Sequence, residues 1–102
     1  MEVSSAGPSV VVRPIGELDI AAAAELREAL LTACASTTDQ VVVDCSEVTF
    51  IDSTALGVLA ACAKRLNTSG HHLSIRHAST QVRRAIALAG LSDFLGVEAP
   101  GS

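Results

Sequence analysis

Aromatic residues and lysine are scarce in this sequence. Its 102 residues include two phenylalanines, no tryptophan and no tyrosine, although 49% of the chain is hydrophobic. A core must therefore be built from valine, isoleucine, leucine and alanine in closely packed layers. Lys64 is the only lysine, and seven basic against eleven acidic residues give a net charge of −4. Without a basic stripe, we do not expect direct binding to nucleic acid.

Long apolar runs and paired cysteines are also missing. No segment reaches the roughly 18 to 20 apolar residues of a membrane span, and the first residues do not form a secretion signal. We therefore expect a cytoplasmic protein without membrane insertion, folded as one domain over residues 1–102. The three cysteines, at positions 34, 45 and 62, form no CxxC pair. This pattern favours small buried thiols in a reducing compartment.

Segments typical of strands and helices alternate along the chain. Strands are predicted at Met1–Ser5, Ser9–Ile15, Gln40–Cys45, His72–Arg76 and Gly96–Ala99. Helices are predicted after Asp19, at Thr54–Leu66 and at Thr80–Ala89, with a change of direction at Gly16–Asp19 and a turn or short helix at Leu91–Leu95. The alternation predicts an α/β domain with a largely parallel sheet of four to five strands, made mixed by an N-terminal hairpin. Helices should cover mainly one face of this sheet.

The stretch from Gln40 to Leu66 holds the most informative residue, Ser53. A buried strand is followed by Asp52-Ser53-Thr54, each of which can cap a helix. Ser53 has two interpretations. As an N-cap it would contribute about 1 kcal/mol; as a phosphoacceptor it would place a phosphate at free N–H groups and the positive end of the helix dipole.

Two aspartates favour a regulatory role for Ser53. Asp52 precedes it, and Asp19 should lie at the same end of the sheet. A pair of like charges ~6 Å apart costs roughly 3 kcal/mol at an effective dielectric near 20, whereas the helix terminus returns about 0.3 to 1 kcal/mol, or up to ~2 when partly buried. A phosphate there would create a local repulsive site suited to driving a partner off.

These residues carry a family resemblance. The segments Gly16–Asp19, Val41–Asp44 and Phe50–Val58 resemble the STAS domain of bacterial anti-sigma factor antagonists, over almost the whole chain. The resemblance implies a single STAS-like domain in which Ser53 is phosphorylated by a partner serine kinase that is also the anti-sigma factor. It further implies a PP2C-type phosphatase that removes the phosphate, so that the unmodified form binds the kinase and frees a sigma factor.

One residue departs from the family pattern. Ala55 stands where the family commonly has glycine. In a helix, alanine should be more stable than glycine by up to ~1 kcal/mol. A closely approaching partner should then meet an extra methyl group.

The predicted second helix has two apolar sides. One side should pack on the sheet: Leu56, Leu59, Ala60, Ala63 and Leu66. Val58, Ala61, Cys62 and Arg65 fall on the other side, which is either ordinary surface apolarity or a docking face for the kinase. The predicted partner-binding residues are Asp19, Asp52, Ser53, Thr54, Gly57, Val58, Ala61 and Cys62.

Other chemistry has less support. Asp44 ends a strand as in receiver domains, but the acidic pair and lysine of those domains are missing, which makes it a loop cap. The histidines have no neighbouring ligands at metal-binding spacing, and Ser53 has no base or GxSxG context. We expect no enzyme, cofactor or metal site. The alternative function is a small STAS subunit that partners an ABC transporter ATPase or a stress-signalling complex, and a free N-terminal sheet edge would allow a monomer or weak dimer.

Overall fold

A computed structural model describes residues 1–36 and 39–97. The elements are β1 Glu2–Ala6, β2 Ser9–Arg13, β3 Gly16–Leu18, α1 Ala23–Ser36, β4 Gln40–Asp44, β5 Val48–Ile51, α2 Ser53–Thr68, β6 His72–Arg76 and α3 Thr80–Leu88. The predicted α/β class is confirmed. Helices α2 and α3 begin and end within two residues of the predicted bounds, and Ser79 caps α3 by accepting the Val82 N–H.

Four strands form a mixed sheet in the order β1-β2-β4-β6. The hairpin of β1 and β2 is antiparallel, as predicted, while β2-β4 and β4-β6 are parallel. Alternate residues on these strands point into the core, where α1 packs on β2 and α2 on β6. These inward residues are Val10, Val12, Val41, Val43, Leu73 and Ile75.

A second pair of strands corrects the sequence prediction. Gly16–Asp19 was expected to be only a change of direction, and Phe50-Ile51 was not assigned to a strand. Gly16 does adopt a positive φ of 84°, but β3 begins there and pairs in parallel with β5. These strands have only three and four residues, which is too few for a recognisable local pattern. They form because each satisfies the backbone hydrogen-bonding groups of the other.

The C-terminal part of the described chain closes over β6. Leu91–Leu95 forms a turn that buries Leu95 completely. Val97 makes an isolated parallel bridge to Ile75, which agrees with the start of the predicted strand Gly96–Ala99; residues 98 and 99 of that prediction lie outside the described residues. At Gly96, φ is +60° and a Cβ would lie 2.7 Å from the Leu73 carbonyl oxygen, so only glycine fits this approach.

The opposite face of the sheet combines an apolar pair, Val11 and buried Val42, with a row of charged residues. Across its four strands one row alternates in charge, from Glu2 through Arg13 and Asp44 to Arg76. Arg13 lies 3.4 Å from Asp44 and 3.7 Å from Glu2. Burial acts to raise the pKa of Asp44, but hydrogen bonds from Ser46 and the Arg13 charge leave that pKa below its usual value. The Asp44 carboxylate accepts the Ser46 N–H at 3.0 Å, which confirms its prediction as a loop cap.

Candidate functional site

Strands β3 and β5 deliver two carboxylates to the same edge of the fold. They run in parallel with Leu18 opposite Ile51, so Asp19 and Asp52 follow the two strands side by side. The Asp52 N–H donates to the Leu18 carbonyl at 3.1 Å, which holds the C-terminal ends of β3 and β5 together. The two aspartates therefore lie at one end together, as predicted, but this is the end of the two-stranded sheet β3-β5, which was not predicted.

Asp52, and not Ser53, is the N-cap of α2. Its backbone is extended (φ −107°, ψ 178°), and its carboxylate accepts the Ala55 N–H at 3.0 Å. The N-cap interpretation of Ser53 is wrong, because Ser53 is already the first helical residue. Three consecutive residues of cap-forming type could not be ranked from sequence; the pairing of β5 with β3 ends the strand at Ile51 and decides between them.

Ser53 is exposed and chemically available. Within residues 1–36 and 39–97 its hydroxyl has no hydrogen-bond partner. The backbone N–H groups of Ser53 and Thr54 belong to the first helical turn, where no preceding carbonyl of the helix can accept them. An added phosphate would therefore meet these donors and the helix dipole, beside the paired strand ends that carry Asp19 and Asp52.

This assignment predicts different stabilities for two neighbouring substitutions. Asp52→Ala removes the cap of α2 and should lower the free energy of unfolding by about 1 kcal/mol. Ser53→Ala removes an exposed hydroxyl and should change it by less than about 0.5 kcal/mol. Urea denaturation of both variants measures the difference; a loss for Ser53→Ala equal to that for Asp52→Ala would contradict the assignment.

A groove of about 370 Å³ runs between α1 and α2, and its α2 wall begins at Thr54, the residue after Ser53. The wall from α2 contains Arg65 and five of the predicted partner-binding residues. These five are Thr54, Gly57, Val58, Ala61 and Cys62. The opposite wall was missed by sequence reasoning and comes from α1: Arg27, Leu30, Leu31 and Cys34. The available signal was the spacing of Arg27, Leu31 and Cys34 along one side of α1, since residues three and four apart are neighbours.

Cys62 corrects the predicted outer face of α2. It was expected to be exposed beside Val58, but its exposed fraction is 7%, because α1 packs over this side of α2. Its Sγ lies 3.1 Å from the Sγ of Cys34. Burial, and next the hydrogen bond with Cys34, raises the pKa of the Cys62 thiol. A helix wheel separates two sides but does not show that a second helix covers one of them.

Ala55 also differs from expectation. It is completely buried, so its methyl group faces the core and would not meet a partner, contrary to the sequence-based expectation. Val58 is half-buried and Ala61 is exposed, so both remain accessible in the groove. The departure from glycine at position 55 therefore concerns packing and helix stability.

Known proteins resemble this chain over most of its length. A family model described as "Mlab, STAS domain" matches residues 1–97. A Staphylococcus epidermidis protein named anti-sigma-B factor antagonist is 34% identical over 82 residues, which are 80% of this chain and 76% of that protein. The crystal structure of an anti-sigma factor antagonist from Mycobacterium paratuberculosis has a TM-score of 0.83 and 28% identity, covering 98% of this chain and 85% of that chain.

The fold is also that of SpoIIAA, an anti-sigma factor antagonist solved in its unphosphorylated form. The TM-score is 0.76 at 22% identity, over 97% of this chain and 88% of SpoIIAA.

Within the described part of this chain, no helix combines the length and apolarity needed to cross a membrane. In the same residues, no three histidine, cysteine, aspartate or glutamate side chains come together as a metal site.

Proposed function

The chain belongs to the STAS domain family of anti-sigma factor antagonists, and from this premise we propose that it is a cytoplasmic switch controlled by phosphorylation of Ser53. Unmodified, it binds a serine kinase that is also an anti-sigma factor, and a sigma factor is released. The kinase phosphorylates Ser53, and the modified form no longer binds. A PP2C-type phosphatase restores the binding form.

The observation that carries the proposal is the setting of Ser53. Its hydroxyl is exposed on the first residue of α2, while Asp52 has taken the capping role. The serine is therefore free to accept a phosphoryl group without loss of a structural hydrogen bond. The fold tolerates the phosphate at a helix N-terminus, whereas a partner docked there would have to desolvate it beside two carboxylates.

The groove supplies the docking surface in this proposal. Val58 and Ala61 present apolar surface one and two turns from Ser53. Arg27 and Arg65 also line the groove, which suits a partner segment with apolar and acidic side chains. A phosphate on Ser53 at one end of this surface would repel the same acidic segment.

Phosphate transfer by the partner kinase tests the function. The protein is incubated with ATP and the anti-sigma kinase from the same cell, and intact mass and peptide fragmentation locate the label. We expect one phosphate, at Ser53, none on Ser53→Ala, and removal by the PP2C-type phosphatase. Kinase binding without any label would overturn the switch and favour a structural role in an ABC transporter or stress-signalling complex.

A further inference from the structure

Two thiols face each other across the α1–α2 contact. Cys34 of α1 and Cys62 of α2 are 28 residues apart in the chain, with their sulfur atoms at 3.1 Å. A disulfide bond is about 2.05 Å long. The two sulfurs therefore need to approach by only about 1 Å to reach bonding distance. Cys45, the third cysteine, is buried elsewhere and has no such partner among the described residues.

The thiol pair is accessible to small oxidants. Both sulfurs belong to residues that line the groove, and Cys34 is only partly buried. Arg65 lines the same groove and acts to lower the pKa of the Cys62 thiol, but burial and the hydrogen bond with Cys34 outweigh this effect. Because Cys34 is partly exposed while Cys62 is buried, Cys34 is the thiol expected to react first.

We propose that Cys34 and Cys62 form a reversible intramolecular disulfide when the protein meets a peroxide. The Cys34 thiolate attacks one peroxide oxygen, the O–O bond breaks, and a sulfenic acid and water form once a proton is taken up. The Cys62 thiol then attacks the sulfenic sulfur, the S–O bond breaks, and a second water leaves. Both cysteines are oxidised by one electron each, and one hydrogen peroxide is reduced to two waters.

The bond would act on the groove. It joins the C-terminal part of α1 to α2 within the groove lining, so the two helices can no longer separate there to admit a partner side chain. In a reducing compartment such a disulfide is transient and signals oxidation. The proposal concerns the isolated chain and holds whether or not Ser53 is a phosphoacceptor, so it can fail independently of the proposed function.

The test uses the purified full chain treated with hydrogen peroxide. Excess peroxide is removed, free thiols are alkylated after denaturation, and intact mass and non-reduced peptides are recorded. We expect a monomer that has lost two hydrogens, a linked Cys34–Cys62 peptide, one alkylated thiol at Cys45, and full reversal by dithiothreitol. The melting temperature should rise by roughly 10 °C on oxidation.

Three single-cysteine variants identify which cysteines form the disulfide. Cys45→Ser keeps the pair and should oxidise like the original protein. Cys34→Ser and Cys62→Ser should each form no intramolecular disulfide and show no peroxide-dependent rise in melting temperature. Disulfide-linked dimers, stable sulfinic acid at Cys34 without a cross-link, or cross-linking through Cys45 would each overturn the proposal; measuring bond formation in the original protein keeps the test independent of how well the variants fold.

Discussion

Ser53→Asp is expected to weaken binding to the cognate anti-sigma kinase by roughly 30-fold or more. The substitution places a carboxylate at the start of α2, next to Asp52 and Asp19. A partner that covers this surface must remove water from an unpaired charge, which costs about 2 kcal/mol or more, and each 1.4 kcal/mol corresponds to a factor of ten. Phosphoserine carries about −1.5 to −2 charges, so its effect should be larger than that of aspartate.

The folded state should change little in the same variant. An acidic residue in the first turn of a helix is favourable by about 0.3 to 1 kcal/mol, which offsets part of the repulsion from the neighbouring carboxylates. Because Ser53 is exposed, water and salt screen much of the remaining repulsion. Calorimetry of kinase binding and thermal unfolding of the free protein measure the two effects separately. The expected result is a large loss of affinity with a nearly unchanged melting temperature.

Thr68→Asp is the matched control for Ser53→Asp. Thr68 is exposed at the other end of the same helix, 16 residues long, and therefore about 22 Å away. The Thr68→Asp substitution therefore adds the same charge as Ser53→Asp, but outside the proposed interface. Equal binding losses for the two variants would indicate a nonspecific effect of net charge, and unchanged binding of Ser53→Asp would contradict the switch.

The parts of the fold that could be predicted depend on residues close together in the sequence, and the parts that could not depend on residues far apart in it. The buried strand Gln40–Asp44 and the helix α3 behind Ser79 follow from local apolar patterns and caps. The pairing of β3 with β5 joins residues more than thirty positions apart, and neither three- to four-residue strand carries a sufficient local signal. That pairing nevertheless determines where Asp19 and Asp52 meet.

The candidate site divides in the same way. Ser53 and its neighbouring aspartates could be located from sequence, because cap-forming residues mark the start of a helix. The choice of Asp52 as the cap depends on where β5 ends, and the burial of Cys62 depends on α1 packing over α2. The α1 wall of the groove could not be predicted from the α2 pattern alone, since it requires the relative placement of two helices.

Val58→Asp should reduce kinase binding at least as strongly as Ser53→Asp, without adding charge to the phosphorylation site itself. Val58 is half-buried in the groove wall, where its exposed surface is available to a partner. The substitution removes an apolar contact and leaves a charge to be desolvated at the interface, so we expect a loss of roughly 30-fold or more. Val58→Lys also removes the apolar contact but adds a cation facing the proposed acidic segment, so its loss should be smaller than that of Val58→Asp.

Leu88→Asp provides the control for Val58→Asp. Leu88 is an 83% exposed helical residue of α3, outside the groove, so the same exchange of an apolar side chain for a carboxylate should leave kinase affinity within about twofold. Circular dichroism of all variants should keep the original spectrum, and the melting temperature of Val58→Asp should fall by only a few degrees because Val58 is only partly buried. Binding of Val58→Asp at the original affinity would show that the partner does not use the groove, even if phosphorylation of Ser53 still controls binding.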